Sequence, residues 1–436
     1  MVRPNTPKGL CLRCKGSRYL CGKKPCPILT KYSVLKSIKL PTGMLQDGKN
    51  ADIFSASPPS FFVGHVGYPR VAIGPMVPHS LDSELDITRL DAPEKWLVPG
   101  VSSAQKAELM DIVRFRSTLV RTIYKTPVKG PAFTTDKILS LSQEIAMAEK
   151  PVGTEVNLEK VHVNVELDNH APPTGPVGNI SKLKITENPK VHQKVEYAVS
   201  DNDLKANEAI TKYLYSDGHL AVTDITRILS AGLLGVKKDR KLVPTRWSIT
   251  ATDDMVSKHL IHRIKMYPEL GEFYLHEAEY LGNNFYIILV PRPWVYEMME
   301  SWSPHSIWRS FDTEKTYVIV QDHELSNGRK KYASNITGAY YAARLGVCEY
   351  LERVRRQAAV MIIREVNEQY LMPLGVWVIR QAVRDAMSNK PSKHSSLKEI
   401  FIYLNKKLQV PLKFWLKKSK LLPYIRKQRT LHDFIR

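Results

Sequence analysis

The chain is short of cysteine, has no long apolar run and carries no acid in its first 40 residues. Each shortage excludes something. Five cysteines in 436 residues, four of them between positions 11 and 26, cannot form a secreted disulfide scaffold, which spreads an even number of cysteines through a short chain. No stretch of about 18 apolar residues is present, which removes a membrane-spanning helix, and the N-terminal region lacks the apolar run of about 7 to 15 residues that marks a secretory signal. The expectation is a soluble, cytoplasmic protein that does not engage a membrane. No internal repeat is visible. A hydrophobic fraction of 43% and a charged fraction of 25% are ordinary for a folded protein, and the length suits two or three domains.

The net charge of +21 is confined to the ends. Residues 1–40 hold ten Lys and Arg, and residues 389–436 hold thirteen against Glu399 and Asp433 alone, so the stretch between is neutral. Cationic ends around a neutral body suit contact with a polyanion, because Lys and Arg displace the counterions condensed on phosphates. The alternative is that both ends are simply solvated.

Residues 1–30 contain too few apolar side chains for a core and need another device to hold them. Residues 31–40 space Tyr32, Leu35 and Ile38 as a short basic helix ended by Pro41. Short apolar runs at 61–63 and 71–73, set among Gly and Pro, predict short strands. Helical spacing follows at 104–125, alternation at 161–167 predicts a strand, and 203–215 and 224–234 predict helices. Residues 246–251 read as a strand that leads into a helix at 254–265, and 285–290 and 317–320 as buried strands. Residues 338–388 form a long helical pattern broken only around Pro373 and Gly375. Ser396 and Glu399 then fit a capping box, with Leu397, Ile400, Phe401, Leu404 and Leu408 on one face. Beyond Pro411 the Lys-rich chain reads as loosely held. The expected fold is an α/β or α+β body at 41–330, preceded by a zinc-binding basic module at 1–40 and followed by a helical C-terminal unit at 331–410 and a flexible basic tail at 411–436.

Cys11, Cys14, Cys21 and Cys26 give C-x2-C-x6-C-x4-C, a spacing that suits four thiolates around one structural zinc with no position left open for catalysis. An iron–sulfur cluster is the other metal reading. Lys23, Lys24, Lys31 and Lys36 surround this module as candidate phosphate contacts. In the irregular segment 57–70, His65 and Arg70 could meet a phosphate or a base; a packed loop with a surface arginine is the bland reading. In 243–254, Arg246 and Trp247 suit phosphate pairing and base stacking, although a Trp is more often core. Asp253 and Asp254, with Asp201 and Asp203, are candidate carboxylates for magnesium in an enzyme, or mere helix caps. The two irregular segments are expected to share a pocket to which Arg70, Arg246 and Asp253 are exposed. Finally, Gln428, Leu431, Phe434 and Ile435 stand at positions 1, 4, 7 and 8 of an octet, and one 3₁₀ turn would aim the three apolar side chains into one pocket. This pattern is similar to the box by which proteins dock on the replication sliding clamp (PCNA), with Ile at a last position where an aromatic is common.

The four-cysteine N-terminus, SPPSFFVGHVGYPRVAIGP at 57–75, ENPK at 187–190, RKLVPTRWSITATDD at 240–254 and TGAYYAARLGVCEYLERVRRQA at 337–358 together resemble the archaeal Nre proteins nearly end to end, with a departure in the loop APPTGPVG at 171–178. The resemblance implies a DNA-repair factor that acts with the sliding clamp, and it brings no catalytic residues with it. The leading expectation is therefore a repair factor that binds DNA and docks on the clamp. Its rivals are a metal-dependent nuclease or nucleotide-processing enzyme centred on the four aspartates, and an RNA-binding protein.

Overall fold

The structure, a computed structural model, describes residues 14, 17–20, 26, 48–79, 86–162, 175–216, 220–303, 317–370 and 374–427. They form two units, one drawn from within 30–96 and 107–256, the other from within 1–29, 97–106 and 257–436.

The first unit is built on a sheet in the order β1 (Ala51–Ser57), β6 (Val152–His162), β7 (Val177–Ile185), β5 (Leu119–Pro127), β3 (Arg70–Gly74) and β2 (Phe62–Val63), with β4 (Met76–Pro78) paired to the start of β5. In β1, Ala51 and Ile53 point inward while Asp52 and Phe54 point out, the alternation of a sheet covered on one face. The inward residues meet Val120, Val156, Leu158, Ile180 and Leu183 around Ile145 of a helix at Lys137–Met147. That helix starts at Asp136, whose carboxylate accepts the N–H groups of Ile138 and Leu139. The strands expected at 61–63 and 71–73 are β2 and β3. Helical spacing at 104–125 overran: the helix Leu109–Thr118 stops where β5 begins, so Leu119 and Ile123 lie on a strand. The alternation at 161–167 starts inside β6, which closes at His162; positions 163–167 lie outside the described residues.

A second correction concerns 246–251, which is helical. The helix Thr245–Ile264 buries Ser248, Thr252, Asp253, Val256, Ser257, Leu260, Ile261 and Ile264. Their spacing is that of one helix face, but its first half is small and polar, so a search for apolar periodicity passes over it.

The second unit has a six-stranded sheet in the order β11 (Ile319–Glu324), β10 (Val295–Trp302), β12 (Ala359–Val366), β9 (Asn283–Val290), β8 (Phe273–Tyr280) and β13 (Ser392–His394). Only β10 and β12 run parallel. Every residue of β12 is buried, because helices cover both faces. On one face lie Gly338–Val354 and Trp377–Ser388, tied to the sheet by the Tyr296 hydroxyl donating to Tyr340 O and by His276 Nδ1 at Ala386 O. These helices approach closely at Gly346, where an added Cβ would lie 2.8 Å from Val383 Cγ1. Segment 97–106 joins the same layer: Lys106 pairs with Asp385 at 2.6 Å, and Gln381 donates to Leu97 O. On the other face lie Leu397–Lys407, Leu412–Lys418 and Leu421–Lys427, whose Ile400, Leu404, Trp415, Leu421 and Leu422 meet Ile288, Met299, Met361 and Ile363. Ser396 caps the first of these by accepting from Glu399 N.

Two expectations fail in this unit. The pattern at 338–388 is not continuously helical, since β12 lies inside it at the centre of the sheet; a strand buried on both faces shows no period of two. Residues 412–427 are not loosely held either. They form two helices whose apolar side chains enter the core while Lys413, Lys417, Lys418, Arg426 and Lys427 point outward.

The sheet also buries charge on both faces. Arg344 pairs with Glu324 at 2.7 Å and Arg364 with Glu300 at 2.8 Å, toward the helix pair 338–354 and 377–388. Toward the C-terminal helices, Glu365 accepts the N–H groups of Gln409 and Val410, and Glu297 accepts from Lys420 N and the Ser419 hydroxyl. Burial raises the Glu297, Glu300 and Glu365 carboxyls above the ordinary range, and these donors and Arg364 oppose the rise. Among the described residues no helix is long and apolar enough to cross a membrane.

Candidate nucleic-acid interface

Within the first unit, the turn between β2 and β3 is closed by Gly64 N donating to Ala72 O and Arg70 N donating to Gly67 O. Gly67 has φ +85°, and a Cβ there would lie 2.9 Å from Arg70 O, so the turn requires glycine. Its tightness leaves Val66 and Tyr68 no core to enter, and both are exposed.

Pro244 begins the neighbouring helix by accepting the N–H groups of Trp247 and Ser248. Arg246 and Trp247 therefore sit in its first turn, at the end of a helix that favours anions. Thr245 joins the two segments, its hydroxyl accepting Val63 N at 2.9 Å. Arg246 Nη1 then lies 3.4 Å from His65 Nε2, and the Tyr68 and Trp247 ring centroids are 5.3 Å apart at 57°. Burial, then the Arg246 charge, hold the His65 imidazole below its ordinary range, so at neutral pH it is uncharged and accepts from the guanidinium. Val128 N donates to Pro69 O and Leu242 N to Val128 O, while Lys129 bridges Lys241, which carries two more exposed lysines alongside the turn. Arg70, Lys129, Lys241 and Arg246 make no ion pair among the described residues.

Three candidates from the sequence, His65, Arg246 and Trp247, are thus brought together, and Arg70 is exposed at the end of the same turn. The aspartates do not join them. Asp253 is fully buried on the inner face of the helix, which corrects both its expected exposure and its role as a cap, and Asp254 beside it is half-buried. Asp201 Oδ1 accepts the N–H groups of Asp203 and Leu204, a local turn, and Asp203 is exposed. Among the described residues no three His, Cys, Asp or Glu side chains are grouped to hold a metal ion. Sequence reasoning singled out neither Tyr68 nor Lys129 and Lys241. The signal for Tyr68 was an aromatic inside the turn sequence Gly67-Tyr68-Pro69, with no apolar periodicity around it.

Cys14 and Cys26 are buried, and Cys14 O accepts the N–H groups of Ser17 and Arg18 in a tight turn. Cys11, Cys21, Lys23, Lys24, Lys31, Lys36, Gln428, Leu431, Phe434 and Ile435 lie outside the described residues.

The family described as Archaeal Nre, N-terminal, matches residues 20–309, and Archaeal Nre, C-terminal, matches 324–434. The chain is 36% identical to the DNA repair protein NreA of Archaeoglobus fulgidus, over 92% of this chain and 94% of that one. It is 35% identical to the DNA repair protein NreB of the same organism, over 98% and 100%, and 34% identical to the DNA repair protein NreA of Haloferax volcanii, over 82% and 84%. No solved structure matches. Both Nre regions are present in order and relatives align over most of both chains, so this protein belongs to the archaeal Nre family.

Proposed function

We propose that the protein is a DNA-repair factor that holds DNA on the surface formed by His65, Tyr68, Arg70, Arg246 and Trp247 and is brought to its substrate by the sliding clamp. The repair role is supported by relatives named DNA repair proteins. The observation that carries the DNA contact is the convergence of two exposed aromatics with cations that make no ion pair among the described residues, the combination by which proteins track a phosphate backbone and its bases. Replacing Arg70 and Arg246 by Ala is expected to weaken DNA binding and flatten its salt dependence. Each lost phosphate contact should reduce the slope of log affinity against log salt by about 0.9 for duplex or about 0.7 for single strands. Fluorescence anisotropy across a salt series measures this, and an unchanged slope would remove these arginines from the interface.

For clamp docking the support is the octet Gln428, Leu431, Phe434, Ile435, which follows directly on the helix Leu421–Lys427. Docking of this octet needs buried apolar anchors, and Leu431→Ala and Phe434→Ala should each cost about 2 kcal/mol or more in clamp affinity. Titration calorimetry with purified clamp tests this; a double variant that binds as the parent does would end the assignment. The thiolates of Cys11, Cys14, Cys21 and Cys26 would hold one structural zinc. Metal analysis of the purified chain is expected to give one zinc per chain, and a value far below one counts against the site.

A further inference from the structure

We infer that the Tyr68–Trp247 surface is selective for unpaired nucleotides, so that the DNA this protein grips is single-stranded or gapped and not intact duplex. The inference rests on the DNA-binding reading above and narrows its substrate. Of the six described tryptophans, only Trp247 is exposed, at 47%, and Tyr68 beside it is 51% exposed. Both are held by local structure, Trp247 by the first turn of a 20-residue helix and Tyr68 by the turn that Gly67 closes. Each ring keeps about half of its surface in water, and their 57° tilt at 5.3 Å prevents either from stacking flat on the other.

A π-face offered to solvent is satisfied by another flat, poorly hydrated ring. In an intact duplex the base faces are already stacked on one another, and only edges and phosphates reach the surface. An unpaired base has a free face, and stacking it on an aromatic side chain needs no particular base. The neighbouring cations fit the same ligand: Arg246 adjoins Trp247 in the first turn of the helix with its guanidinium 3.4 Å from His65 Nε2, and Arg70 is exposed in the same turn as Tyr68.

The test compares the full-length protein with Tyr68→Ala/Trp247→Ala and with Arg246→Ala, using anisotropy of three labelled DNAs of one sequence: a single strand, a blunt duplex and a duplex with a central gap. The double aromatic variant should lose at least about tenfold in affinity for the single strand and the gapped duplex while its blunt-duplex affinity stays within about twofold. Arg246→Ala should weaken all three. Tyr68→Phe/Trp247→Phe, which keeps both rings, should restore the single-strand affinity and so separate stacking from folding. Equal losses on single strand and duplex, no loss on the single strand, or a tighter hold on single-stranded RNA of the same sequence would overturn the inference. If the parent protein bound none of the three DNAs, the DNA-binding reading itself would fall with it.

Discussion

Replacing Arg344 by Met is expected to lower the stability of the protein by about 3 to 5 kcal/mol, the cost of leaving one member of a buried ion pair without its partner. Arg344 is 1% exposed and Glu324 2%, and they meet at 2.7 Å. The guanidinium also donates to the Ser257 hydroxyl and lies over the rings of Tyr340 and Tyr341, so methionine removes one charge, a hydrogen bond and two ring contacts. Glu324 would then remain ionised without its paired cation in a site closed to water, or take up a proton. Urea denaturation reads the loss. The companion Arg344→Met/Glu324→Leu should recover most of it, because removing both charges also removes the desolvation cost. A single variant as stable as the parent would mean that this pair contributes nothing net.

Trp415→Ala should cost a similar amount, about 3 to 5 kcal/mol, as for other large buried side chains truncated in a core. Trp415 is fully buried against the sheet, and its indole N–H donates to Val410 O at 3.2 Å. Phe414, one residue away and 39% exposed, provides the contrast: Phe414→Ala should stay within about 0.5 kcal/mol. The pair distinguishes a packed C-terminal layer from a loose basic tail, for which both substitutions would be equally mild. Limited proteolysis after Lys417 and Lys418 should also become rapid in Trp415→Ala alone.

Residues 412–427 show what was hard to read from the sequence. Their lysines dominate the composition and suggest a solvated tail, but two short helices turn Leu412, Trp415, Leu421, Leu422 and Ile425 one way and the lysines the other. Elements with a clean local signal were legible: the short apolar runs of β2 and β3, the apolar run of β9, and the helix capped by Ser396. Elements with a mixed inner face were not. β12 carries Arg364 and Glu365 into the interior, each satisfied by a partner far away in sequence, and the helix Thr245–Ile264 hides small polar residues. For the interface, the two irregular segments could be recognised separately. Their meeting, through Thr245 and Val63 or Arg246 and His65, joins residues more than 180 positions apart, which no local pattern encodes.

The segment 97–106 belongs to a unit whose other parts lie within 1–29 and 257–436. During synthesis it therefore leaves the ribosome long before its partners Gln381 and Asp385 exist. The unit around β1 to β7 has all its residues once position 256 emerges, whereas the other must wait for the chain's end, roughly 10 to 40 s later at about 5 to 20 residues per second. Over that interval Leu97 and Lys106, flanked in sequence by the two stretches of the unit already synthesised, lack Gln381 and Asp385, and a chain terminated before position 381 never supplies them.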